Sequence, residues 1–174
     1  MSNRHEDFLR ATMGSADLVY NLSRRLTDDR RDAEDLVQET YLHAFRAWTE
    51  QRRPRKVEPW LATICLNLAR SGYRRRARRP SEVAFEEPMV DPRSSADPES
   101  QALAATERDA LYRAMRELPE EQRVAITLVD LSGLSTHEAA NVMGTPRGTV
   151  LSRLHRGRRA LARLLGDRIE EVIR

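Results

Sequence analysis

The sequence predicts an all-α protein made of two small helical domains. Three observations lead there. Apolar residues recur at steps of three and four, with no stretch of strand-like alternation. Proline and glycine punctuate the chain at helix-length intervals. One acidic, proline-broken stretch divides it, giving a first domain over 1–80, a connecting segment over 81–100 and a second domain over 101–174.

The first expected helix runs from about Asp7 to Leu26, with Phe8, Leu9, Val19, Leu22 and Leu26 inward and Gly14 a local weakness. From Arg31 to Trp48, Ala33, Leu36, Val37, Tyr41, Ala44, Phe45 and Trp48 make one stripe of an amphipathic helix. Thr27-Asp28-Asp29 supplies capping side chains just before it. After a basic break from Gln51 to Lys56 containing Pro54, a long helix starts near Pro59. It carries Leu61, Ile64, Cys65, Leu68 and Ala69 on its apolar side, runs into an Arg-rich end and stops at Pro80.

Residues 81–100 hold Pro88, Pro92 and Pro98 with six acids and one Arg, a linker composition too polar to build its own core. Pro98 and Pro119 then mark helix starts, giving helices near 99–117 and 119–131. The second is strongly apolar through Val124, Ile126, Leu128, Val129 and Leu131, and Ser132-Gly133 breaks it. Ser135-Thr136-His137-Glu138 reads as a capping box opening a short helix that Gly144 closes. Thr145-Pro146 caps the last helix, with Pro at its first position, running to about Leu165 with Val150, Leu154, Leu161 and Leu164 inward.

Charge is sorted along these elements. The formal net charge is only +3, but residues 1–50 sum to −3, 51–80 to +9, 81–145 to −8 and 146–174 to +5. Two basic blocks separated by an acidic one suggest two phosphate-facing surfaces on one chain. Of the 30 basic residues all but Lys56 are Arg. No run of about 18 apolar residues is present to cross a membrane, and the opening residues lack the apolar stretch of a secretory signal, so the expected location is the cytoplasm.

Catalysis finds little support. His5, His43, His137 and His155 are scattered without metal-ligand spacing, no Gly-rich phosphate loop occurs, and Cys65 sits on an apolar stripe where a small buried hydrophobe is expected. The expectation is a protein with no enzymatic activity, cofactor or metal.

Two features point to binding. The short capped helix, Gly144 turn and capped longer helix have the form of a helix-turn-helix, whose second helix enters the DNA major groove. On that helix Thr149, Ser152, Arg153, Arg156 and Arg159 recur at steps of three and four opposite the apolar stripe, suited to bases and phosphates. On the Arg31–Trp48 helix, Asp32, Asp35 and Glu39 lie at spacings where like charges repel, with Gln38 beside them. A basic partner surface accounts for such a cluster, though an exposed face tolerating slight repulsion accounts for it equally well.

These residues resemble a known family. Asp32-Ala-Glu-Asp-Leu-Val-Gln-Glu-Thr-Tyr-Leu-His-Ala-Phe-Arg-Ala-Trp48 resembles region 2 of bacterial RNA polymerase sigma factors, and Pro59-Trp-Leu-Ala-Thr-Ile-Cys-Leu-Asn-Leu-Ala-Arg70 with the Arg run is similar to that region's promoter-reading helix. Leu118-Pro-Glu-Glu-Gln-Arg-Val and Gly148-Thr-Val-Leu-Ser-Arg-Leu-His-Arg-Gly-Arg-Arg-Ala-Leu161 resemble region 4. The two-block layout resembles the extracytoplasmic-function (group IV) subgroup of the sigma-70 family, and the likeness spans roughly 7–165.

The resemblance implies roles. Asp35, Gln38 and Glu39 would dock on the basic coiled coil of the polymerase β′ clamp. Region 2 would bind and open the −10 element through Trp60, Asn67, Arg70, Arg74, Arg75 and Arg76, holding a flipped base near the 49–58 loop. Region 4 would read the −35 element through Arg147, Thr149, Ser152, Arg153, His155, Arg156 and Arg159 and touch the β flap. The linker would lie in the RNA exit path, and an anti-sigma protein is a further implied partner. Thr63 and Leu151 depart from the pattern, standing where many relatives carry basic residues. The competing functions are a stand-alone helix-turn-helix regulator, for which core polymerase is irrelevant, and an anti-sigma mimic that binds the clamp without DNA.

Overall fold

The computed structural model describes residues 2–50, 53–76 and 109–173, with side chains over 4–50, 53–72 and 109–166. Helices α1 (Ser2–Thr12), α2 (Ala16–Leu26), α3 (Arg30–Thr49) and α4 (Val57–Arg76) form the first half. Helix α5 (109–117), α6 (Glu120–Ile126), α7 (Thr136–Met143) and α8 (Arg147–Ile173) form the second. No strand occurs among the described residues. The linker expected over 81–100 and the helix start at Pro98 lie outside them.

In the first half α2, α3 and α4 pack as a three-helix bundle with α1 alongside. The expected helix from Asp7 to Leu26 is in fact two, separated by a 3-10 turn over Met13–Ser15. Gly14 lies in that turn, and Thr12 satisfies the end of α1 by donating its buried hydroxyl to the Phe8 carbonyl at 2.8 Å. Leu9, expected inward, is exposed. Asp29 caps α3, its carboxylate accepting from the Asp32 amide at 2.7 Å. The α3 stripe then delivers Ala33, Leu36, Ala44 and Trp48 to the core. Phe8 meets Phe45, Trp48 and Tyr41 edge-on with centroids 5.2, 5.8 and 6.3 Å away, an arrangement that the ring quadrupoles favour.

Helix α4 begins at Val57, two residues before Pro59. Cys65 on it is buried as expected, its thiol pushed up by burial and 3.4 Å from the Ser23 hydroxyl. Burial on α4 is wider than the sequence stripe, since Ala62 and Leu66 join Leu61 and Cys65 with no exposure at all. At about 100° per residue these four positions alone cover some 140° of the helix.

The second half holds its last helix against α6 and α7. Pro119 and Pro146 each precede the first helical residue instead of occupying it; the Pro146 carbonyl accepts the first helical bond, from the Val150 amide at 3.3 Å. Past Ile126 the chain widens into a π turn over Thr127–Leu131, ended by Gly133 at φ 72°. Leu131, one of the apolar residues of this stretch, is exposed. The last helix extends beyond Leu165 to Ile173. Gly157 fits α8 closely against α6, for a Cβ there would stand 2.7 Å from Ile126 Cδ1.

The two halves also pack on each other, which the sequence did not foreshadow. Helix α7 lies against α4, and α2 touches α6 and the π turn. The Tyr112 hydroxyl donates to the Arg24 carbonyl at 3.0 Å while the Arg24 guanidinium lies 4.9 Å from the Tyr112 ring centre. Lys56 Nζ donates to Glu138 Oε1 at 2.5 Å.

Candidate nucleic-acid interface

The turn that aims α8 is built by local chemistry. Ser135 accepts from the Glu138 amide at 3.2 Å while Glu138 accepts from the Ser135 amide at 2.9 Å, so the capping box is complete. Gly144 adopts φ 63°, which lets the Thr145 amide reach back to the Ala140 carbonyl at 3.1 Å and close α7. The next residues start α8, whose Val150 and Leu154 enter the core. This orients the opposite side of α8 to solvent.

On that side Ser152, His155, Arg156 and Arg159 are exposed, and so is Leu151. Arg147 is exposed at the start of the helix and donates through Nε to Thr136 Oγ1 at 2.8 Å. Ser152 returns its hydroxyl to the Thr149 carbonyl at 2.9 Å, and Thr149 itself is half-buried.

Arg153 breaks the expectation. Its spacing places it on the outward face, yet it is only 9% exposed. Its Nη2 meets Glu121 Oε2 at 2.5 Å and its Nη1 donates to Thr145 Oγ1 at 3.4 Å. The reason is angular: Arg153 lies about 120° from Arg159 around the helix, on the shoulder that faces α6. Here it joins α8, α6 and the turn, and is not presented to a ligand. Arg158 is a further cation that is already paired, held by both oxygens of Asp130 at 2.5 and 2.9 Å.

In the first half, Asp35, Gln38 and Glu39 are all exposed on α3, as their spacing required. Leu42 lies on the same side, 54% exposed, and the sequence reading missed it. The available signal was its position off the inward stripe, three residues past Glu39. Nearby, Arg30 is paired with Glu34 at 2.8 Å.

The other basic block runs along α4 and the segment before it, where Arg53, Arg55 and Lys56 are exposed. Trp60 is half-buried and lies against Trp48 with centroids 6.4 Å apart, while Arg53 sits over the Trp48 ring at 5.1 Å. Asn67 is exposed and Arg70 half-buried one turn further on. Arg74, Arg75 and Arg76 lie on the last turn of α4, with side chains outside the described residues. Thr63 turns its hydroxyl into its own helix, donating to the Pro59 carbonyl at 2.7 Å. Among the described residues no cluster of His, Cys, Asp and Glu could hold a metal ion.

Among the described residues, an all-helical fold with a helix-turn-helix whose second helix exposes arginines, and with an exposed acidic row on another helix, has the form of a DNA-binding protein. Comparison with known proteins narrows this class. Residues 14–79 match Sigma-70 region 2 and residues 108–161 match Sigma-70, region 4. The chain is 38% identical over 157 residues to the ECF RNA polymerase sigma factor SigE of Mycolicibacterium smegmatis, a match covering 90% of this chain and 61% of that one. It is 35% identical over 148 residues to the ECF RNA polymerase sigma factor SigM of Mycobacterium tuberculosis, covering 85% of this chain and 71% of that relative. Among solved structures, it resembles the sigma factor RpoE in complex with the anti-sigma factor NepR from Bartonella quintana, with a TM-score of 0.73 and 29% identity over 92% of this chain and 98% of that one. The chain belongs to the ECF sigma factors of the sigma-70 family.

Proposed function

We propose that this chain binds core RNA polymerase and directs it to promoters, with α8 reading the −35 element and α4 with its preceding loop reading and opening the −10 element. The observation that carries this reading is the coexistence, on one chain of this family, of exposed arginines on α8, a basic block along α4 and the segment before it, and an exposed acidic row on α3. We assign Asp35, Gln38 and Glu39 to the polymerase clamp, with Leu42 supplying an apolar contact at the end of the same row. Trp60, Asn67, Arg70, Arg74, Arg75 and Arg76 serve the −10 strand. Arg147, Ser152, His155, Arg156 and Arg159 serve the −35 duplex, with Thr149 at the margin and Arg153 reassigned to holding the helix in place.

The chain acts in the cell interior alongside polymerase, among the group IV members of the family, and performs no chemistry itself. No helix among the described residues is long and apolar enough to cross a membrane. An anti-sigma partner is part of the same proposal, supported by the complex in which the similar Bartonella factor was solved.

Charge reversal tests the docking assignment. Asp35→Arg combined with Glu39→Arg abolishes capture of the chain by core polymerase while the helical circular-dichroism signal is unchanged. Undiminished capture refutes the assignment. A stand-alone regulator predicts equal promoter binding with and without core, so core-dependent transcription from a mapped promoter separates the two functions.

A further inference from the structure

The segment between α3 and α4 carries Arg52, Arg53, Arg55 and Lys56 between Glu50 and Glu58, with no acid among them. One of these cations is held in place instead of being left to solvent. The Arg53 guanidinium lies over the Trp48 ring, 5.1 Å from its centre, and its Nη2 stands 3.8 Å from Asp7 Oδ2 on α1. Pro54 follows it, and the residue before a proline is confined largely to extended backbone. A ring beneath, an acid beside and a proline after it thus restrict a side chain that would otherwise be free to wander. Yet 61% of that side chain stays exposed. Holding an exposed arginine still costs rotamer entropy, and an exposed ion pair returns little of it. Having been ordered in advance, Arg53 offers a ligand a surface that costs little more to use.

What that surface covers defines its chemistry. Trp48 is only 8% exposed, and its indole Nε1 is buried without a hydrogen-bond partner among the described residues. Trp60, half-buried in the first turn of α4, lies against Trp48 with centroids 6.4 Å apart. The Trp48 ring therefore keeps almost none of its surface for a ligand. A planar group approaching it from the solvent side of Arg53 meets the guanidinium first. A guanidinium plane is a surface on which an unstacked nucleobase lies, and an aromatic ring beneath the cation supports it from the other side. A base drawn out of a duplex has lost its stacking, and such a platform restores part of it. Arg55, exposed two residues on, adds positive charge for the neighbouring phosphates. Asn67 is seven residues past Trp60, about 10 Å along α4, which leaves it to a different part of the strand.

We propose that Arg53, carried on Trp48, is the platform on which one unstacked base of the −10 strand lies when the promoter opens. The assignment rests on the sigma-factor reading for the strand, and Arg53 stands outside the residues already given to it. Stacking on a cation tolerates any base, so Arg53 supplies grip and promotes opening, and selectivity falls to other side chains.

The test uses the full chain bound to core polymerase, with single-stranded non-template DNA covering the −10 element of a promoter selected by that complex. Each −10 nucleotide is made abasic in turn, and the series is measured with the unaltered chain, Arg53→Ala and Arg53→Lys. At one position, loss of the base and loss of the Arg53 side chain each lower affinity about tenfold, and together they cost no more than either alone. At every other position the two losses multiply. Lys keeps the charge but has no plane, so Arg53→Lys follows Arg53→Ala. Both variants keep the helical circular-dichroism signal and the denaturant midpoint of the unaltered chain.

Losses that multiply at all positions mean that Arg53 meets no base, and they overturn the proposal. Full binding by Arg53→Lys also overturns it, marking a contact to phosphate alone. So does a lowered denaturant midpoint with unchanged DNA affinity, the result for a guanidinium that only covers Trp48. An unaltered chain that forms no complex with core defeats the sigma-factor reading and the platform with it. Multiplying losses in a chain that still supports core-dependent transcription defeat the platform alone.

Discussion

Arg153 and Arg156 lie three residues apart on α8 and have opposite surroundings. Arg153→Ala removes a charged hydrogen bond to Glu121 and is expected to destabilise the chain by about 1–3 kcal/mol, seen as a lowered denaturant midpoint. Arg156→Ala leaves that midpoint in place and weakens binding to −35 duplex in fluorescence anisotropy. The reverse pattern contradicts the reassignment. Leu151, exposed beside Ser152, offers a contact for a thymine methyl where a guanidinium would grip guanine. Leu151→Arg should therefore move the preferred −35 sequences toward guanine in a binding selection, and an unchanged selection places Leu151 off the bases. Glu138 is held down at about 2 from an ordinary 4.5, first by its hydrogen bond from Lys56 and then by Ser135. A folded-state pKa below the unfolded one means this contribution is complete above pH 4.5 and fades as pH falls through 2. The difference in thermal midpoint between the chain and Glu138→Gln should accordingly be the same at pH 7 and at pH 5.

Among the elements, α3 and α7 were the most legible because their ends are written in side chains. The Asp29 cap, the capping box and the left-handed Gly144 each satisfy backbone groups locally, so no distant contact had to be known. Asp29→Ala should cost about 0.5–2 kcal/mol, measured by thermal melting. Elements decided by tertiary contact were less legible. Gly157 looks like a poor helix residue by propensity, yet a Cβ there would make Ile126 Cδ1 at 2.7 Å and Gln122 Cβ at 3.3 Å give way. Gly157→Ala should therefore gain less than the roughly 1 kcal/mol that helix propensity alone gives, and adding Ile126→Val, which removes the opposing Cδ1, should recover part of the difference in a thermal melt. Steps of three and four also cannot distinguish the middle of a helix face from its shoulder. That is why Arg153 was grouped with true surface arginines, and why Ala62 and Leu66 were not counted as buried.

For the molecule as a whole, the small net charge conceals opposed surfaces, and sequence position alone revealed them. Counterion release makes DNA affinity fall with salt, by a logarithmic slope of about 0.9 for each phosphate neutralised. Titrating the core-bound chain on its promoter should give a slope of several units, and Arg159→Ala should reduce it by about one. What the sequence could not convey was the docking of the halves. Periodicity marks apolar positions without naming what covers them, and the Lys56–Glu138 and Tyr112–Arg24 contacts join residues more than 80 positions apart.

The Trp48–Trp60 pair has an optical consequence. These are the only two tryptophans in the chain, and both belong to the bundle of α1 to α4. Indole emission therefore reports on that bundle alone, whereas the far-ultraviolet signal sums every helix. Recorded together during urea unfolding, the two signals should trace one curve while the halves melt as a unit. Once the halves are uncoupled, the emission curve should separate from the ellipticity curve, making cooperativity between the halves visible without a label.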